Sequence, residues 1–167
     1  MAATIEICES NGVGETVTHS ITNTNMGNTE AVNLDPVAFP VTPGAYTYAK
    51  YQRMHLTALG GSSAINNFKV WRTGALGGAA VHVTNARIAA YGGAIAYATP
   101  VKIAIATVDQ TMPTSVPASA NLGIGGSLAG SLTGAGYSDY LVHQIQTNAA
   151  DIAGSTSTMS YQYDETA

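Results

Sequence analysis

Met54, Leu56 and Ala58 alternate with Arg53, His55 and Thr57, the period-2 pattern of a strand with one buried face. Leu59-Gly60-Gly61-Ser62-Ser63 follows as a turn, because glycine takes positive φ at no steric cost. The chain then returns over Ile65 to Arg72, with Phe68 and Val70 on one face and Lys69 and Trp71 on the other. The pattern predicts a central hairpin over Pro43 to Gly74, the stretch around which the rest of the chain is organised. Shorter alternations predict strands over Thr4 to Cys8, Glu15 to Thr22, Ala79 to Thr84, Val101 to Val108, Tyr140 to Thr147 and Thr156 to Tyr163. Ala31 to Phe39 is extended but broken by Pro36, which suits an edge strand or an irregular segment. Asn85 to Ala98 is rich in alanine, yet its 3.6-residue apolar period is weak and Gly92-Gly93 interrupts it. A loop inserted between sheets is expected there rather than a short helix.

Polar or glycine-rich turns at Asn23 to Asn28, Thr111 to Pro117 and Leu122 to Gly136 separate these segments. About eight or nine strands at short spacing, with no amphipathic helix and no fixed-period repeat, predict an all-β, single-domain antiparallel β-sandwich. Residues 1–12 and 164–167 are expected as extended arms.

Composition adds a constraint on the surface. Only 10% of the 167 residues are charged, against about 25% in an average soluble protein. Such a deficit fits a surface covered in an assembly, or one made of Ser, Thr and Asn. Net charge is −4, but every Lys and Arg lies between Lys50 and Lys102, and no Asp or Glu occurs between Asp35 and Asp109. A basic centre with acidic flanks suits packing of one copy's ends on another copy's middle, or folding of the ends back on their own centre. The spread of six cations in a net-negative chain argues against a phosphate track, so no nucleic-acid partner is expected. No apolar run approaches the ~20 residues of a membrane span, and MAATIEICES has neither a basic nor an apolar signal region. No membrane partner is expected, and synthesis is expected in the cytoplasm.

The search for chemistry is largely negative. Gly123-Ile124-Gly125-Gly126 fails the dinucleotide pattern at Leu128, and neither Ser127 nor Ser131 sits in a nucleophile elbow, because Ala129 stands at +2 of the first and −2 of the second. His19, His55, His82 and His143 each stand alone on separate segments, without the spacing of a metal clamp. Cys8, the single cysteine, reads as a packed thiol within Ile5-Glu6-Ile7-Cys8. No enzyme activity, cofactor or metal is therefore expected. What stands out is a concentration of aromatic and basic side chains: Lys50, Tyr51 and Arg53 on one strand of the hairpin, Lys69, Trp71 and Arg72 on the other. These six are the candidate assembly or partner-binding residues, since aromatics beside cations make protein- or sugar-binding platforms.

The polar turn Asn23-Thr24-Asn25-Met26-Gly27, the strands Tyr48-Ala49-Lys50-Tyr51 and Asn67-Phe68-Lys69-Val70-Trp71, the segment Ala96-Tyr97-Ala98-Thr99-Pro100 and the ending Tyr161-Gln162-Tyr163-Asp164-Glu165 together carry a likeness. With these stretches the chain resembles virion structural proteins of tailed bacteriophages, in particular small capsid decoration (cement) proteins. The resemblance implies a jelly-roll-like sandwich without catalytic residues, a homo-oligomer, commonly a trimer, on the exterior of the virion, and the major capsid protein as partner. The alternative expectation is a tail or baseplate module that recognises host-surface carbohydrate through Tyr51 and Trp71.

Overall fold

A computed structural model describes residues 1–88, 90–92, 111–151 and 154–167, with the backbone alone for 85–88. The chain is all-β. Its strands are β1 (Thr4–Asn11), β2 (Thr16–Thr18), β3 (Lys50–Ala58), β4 (Ala64–Thr73), β5 (Val81–Ile88), β6 (Ser131–Leu132), β7 (Gly136–Tyr137), β8 (Tyr140–Gln146) and β9 (Thr158–Thr166). They form two antiparallel sheets. The larger runs β2-β1-β3-β8-β5, with β7 also paired to β3, and the smaller runs β6-β4-β9.

Met54, Leu56 and Leu141 from the larger sheet meet Ile65, Phe68 and Val70 from the smaller one, with Ala3, Met112 and Leu122 completing the layer. All but Ala3 are almost wholly buried. This is the sandwich core that the alternation in β3 and β4 predicts. Tyr161 and Tyr163 of β9 bind across it, the first to the Gln52 side chain and the second to the Ala3 carbonyl.

The expected hairpin is not formed, because β3 and β4 lie in different sheets. Both edges of β3 are already taken, one by β1 and the other by β8 and β7. Those of β4 are taken by β6 and β9. The Leu59–Ser63 turn is therefore an arch from one sheet to the other. Gly60 sits in it at φ 64°, against the carbonyl oxygens of Met1 and Ala2, and the Gly61 N–H bonds Met1 O at 2.7 Å. A side chain at residue 60 would collide with the chain's own beginning.

Other segments follow the sequence with shifted limits. Thr4–Asn11 is an interior strand between β2 and β3, and Thr158–Thr166 pairs along β4, so the terminal segments belong to the sheets. Glu15 to Thr22 contributes only three paired residues, and Ala31 to Phe39 contains no strand. Within the expected inserted loop, Asn85 to Ile88 instead continues β5 along β8, while 89 and 93–98 lie outside the described residues. So does the strand expected over Val101 to Val108. In the glycine-rich stretch, Leu122 is buried and residues 131–132 pair with β4.

Candidate functional site

Most of the six residues expected to face a partner are drawn into the chain itself. Lys50 is 6% exposed; its Nζ donates to Glu9 Oε1 at 2.7 Å and to Ala31 O at 2.9 Å. Arg53, half-buried, lies between the rings of Tyr137 and Tyr140, 3.8 and 4.5 Å from their centroids, with Glu15 3.7 Å from its guanidinium. Lys69 and Arg72 are buried, each with a backbone carbonyl as acceptor, Ala118 and Gly74 respectively. Tyr51 is buried edge-on against Tyr91 and Tyr140, and burial raises its phenol pKa. Trp71 is half-buried on β4. Because Tyr51 and Trp71 stand in different sheets, they do not make one stacking platform. Of the two arrangements open for the acidic flanks, Glu9 and Glu15 take the intrachain one: they fold back onto Lys50 and Arg53.

The four histidines meet in two pairs. The first is interior. Glu9, with no exposed surface, accepts from Lys50 and from Gln52 Nε2, both at 2.7 Å. Gln52 Oε1 faces the Tyr161 hydroxyl at 3.2 Å and His143 Nε2 at 3.0 Å. An amide oxygen only accepts, so His143 carries its proton on Nε2 and offers Nδ1 as an acceptor. His82 Nε2 lies 2.8 Å from that Nδ1 and donates to it. His82 Nδ1 is then an acceptor, buried and without a partner among the described residues. Burial, reinforced by Arg72, holds the His82 pKa down at about 3. Burial, with His82 and Lys50, holds that of His143 well below the usual imidazole value. Both rings border a mainly apolar cavity of about 400 Å³ that also touches Met26, Val37, Ile145 and Met159.

The second pair lies on the opposite face of the larger sheet. Successive strand residues point to opposite faces, so Glu6 and Cys8 share one face of β1 while Ile5 and Ile7 pack toward the core. Antiparallel register sets Glu6 directly opposite His55 of β3. The chain reverses after β1, pairs briefly as β2, and brings His19 alongside, held by the Ile21 N–H on the Ile7 carbonyl. Glu6 Oε1 is 2.7 Å from His19 Nδ1 and 2.6 Å from His55 Nδ1, and Cys8 Sγ is 3.3 Å from the same His19 nitrogen. Ser20 Oγ donates to the second oxygen of Glu6 at 2.5 Å. That bond, followed by the two imidazoles, lowers the Glu6 pKa to about 2. Cys8 is fully buried, and burial, aided by the Glu6 charge, pushes its thiol up to about 11. The Tyr137 ring stacks on His55 with centroids 4.1 Å apart and planes 12° from parallel.

Glu6, Cys8, His19 and His55 thus bring one carboxylate oxygen, one sulfur and two imidazole nitrogens within 4.8 Å of one another. Sequence spacing offers only a partial signal, Glu6-x-Cys8 on one strand face. The cross-strand register that adds His55, and the reversal that adds His19, belong to the fold. No protein-family model matches the chain, and neither does any curated protein or solved structure.

Proposed function

We propose that the chain is a structural protein of a virion: a β-sandwich that associates with its own copies as a trimer and binds the major capsid shell from outside, without catalysing a reaction. One observation carries the proposal. Among the described side chains no Lys or Arg is exposed, since Lys50, Lys69 and Arg72 are buried and Arg53 is held between two tyrosines and Glu15. A free-standing soluble domain ordinarily keeps its lysines and arginines in water. Apart from the acids Asp35, Asp164 and Glu165, the described exposed surface is mostly small or polar with isolated apolar residues, among them Val37 and Val116, and carries few charges to strip of water when another protein covers it. The contact expected is therefore poor in charge and close-fitting rather than steered by exposed cations.

The test is co-sedimentation of the purified chain with empty capsids of its source particle across a range of salt concentrations. Attachment that persists at high salt supports the proposal, because screening removes only exposed charge pairs. Absence of attachment, together with a quench of Trp71 fluorescence by host glycans, would assign the chain to carbohydrate recognition at a tail or baseplate instead.

A further inference from the structure

We propose that Glu6, Cys8, His19 and His55 form a four-ligand site for a borderline-soft divalent cation, zinc in the first instance, that ties β1, β3 and the segment following β2 together. The donor set fits that chemistry. One thiolate and two imidazoles favour zinc over calcium or magnesium, and a carboxylate oxygen is an accepted fourth ligand. Four protein donors leave no open position, which makes the site structural rather than catalytic.

Distances support the same centre. Around a tetrahedral zinc with bonds of roughly 2.0–2.3 Å, neighbouring donor atoms lie roughly 3.3–3.7 Å apart. Here the contacts within the group run from 2.6 to 3.3 Å, and all donors lie within 4.8 Å of each other. To meet that geometry the closest donors move apart and the widest draw together, each by about an ångström or less.

The hydrogen bonding points inward as well. His19 Nδ1 faces both Glu6 Oε1 and Cys8 Sγ, and one ring nitrogen cannot satisfy both fully. Glu6 Oε1 in turn is shared between two imidazoles. A cation at the common centre gives each of the four donors its own bond.

The surroundings are those of a built site. Ser20 holds the distal oxygen of Glu6, and the Tyr137 ring fixes the plane of His55, the orienting role of outer-shell groups. Cys8 is closed off, whereas the His19 side chain is 47% exposed, so a cation enters from the His19 side. On binding, the thiol proton leaves to solvent and the sulfur–metal bond takes its place. Each histidine keeps its ring proton on Nε2 and binds through Nδ1.

The test uses the full chain, stripped with a chelator. Zinc is titrated by calorimetry and cobalt(II) by absorption. The expected result is one equivalent bound, with a thiolate-to-cobalt charge-transfer band and the intense visible absorption of a four-coordinate ion. Loss of even an outer-shell partner costs about 10- to 100-fold in affinity, so His19→Ala should weaken zinc binding by at least about 100-fold. His19 is exposed enough for that variant to fold, which circular dichroism checks. Cys8→Ser should remove the charge-transfer band. Three results would each overturn the proposal: no zinc bound by the folded chain, a six-coordinate cobalt spectrum without the sulfur band, or unchanged affinity in both variants.

Discussion

Replacing Lys50 with methionine tests whether the chain's cationic centre is neutralised from within. The ammonium bonds Glu9 at 2.7 Å, and the two side chains are 7% and 0% exposed. Lys50→Met leaves a carboxylate buried without its counter-charge, a change that costs about 3–5 kcal/mol in other buried pairs. Glu9 keeps donors from Gln52 at 2.7 Å and Asn11 at 3.2 Å, which places the expected loss at the lower end, about 3 kcal/mol. For a domain of this size that corresponds to a fall of roughly 6–12 °C in Tm. The double variant Glu9→Gln, Lys50→Met removes both charges and should recover much of the loss, since the uncompensated charge is gone. Equilibrium urea unfolding followed by Trp71, the single tryptophan, measures both variants against the parent. A loss below about 0.5 kcal/mol for Lys50→Met is the behaviour of a solvent- or partner-facing lysine and would refute the reasoning.

Three further outcomes follow from the same geometry. Gly60→Ala should destabilise the fold by about 2 kcal/mol or more, measured by thermal unfolding, because positive φ alone costs a side chain roughly 1–2 kcal/mol and the new methyl meets the Met1 and Ala2 carbonyls. Acid should weaken the fold through His82 and His143: their folded pKa values lie below the unfolded value near 6.5, so the unfolded chain binds more protons. The stability they contribute is complete above that pH and is lost as pH falls, for His82 down to about 3, at up to about 1.4 kcal/mol per pH unit for each ring. Urea titrations from pH 7 to pH 4 should show that slope, and His82→Gln should reduce it; a flat profile contradicts the buried-neutral assignment. Cys8, fully buried with its thiol pKa near 11, should resist a disulfide reagent in the native metal-free chain and react fully in denaturant, whereas fast native reaction would mean it is exposed.

Local pattern carried the fold class and little of the pairing. The alternation in Met54 to Ala58 and in Phe68 to Val70 names the faces that meet in the core. It cannot tell a hairpin from an arch, because both need a glycine turn. What decides is the competition for strand edges, won by β1 and β8 for β3 and by β9 for β4. The charge map likewise shows a basic centre and acidic flanks but not whose flank meets whose centre. That depends on Glu9 facing inward on β1, at a position adjoining the outward-facing Cys8. The two histidine pairs are the clearest case: His82 and His143 are 61 residues apart in sequence and 2.8 Å apart in space. Only the β5–β8 register, which sets Thr84 opposite His143, brings them together.

The central claim is that a charge-poor surface, rather than the basic centre, holds this protein in an assembly. Light scattering on the size-fractionated chain at low and high salt tests it most directly. The account predicts a stable oligomer, a trimer, whose mass is unchanged at high salt. A monomer at all salt concentrations, or an oligomer that dissociates as salt rises, would contradict it.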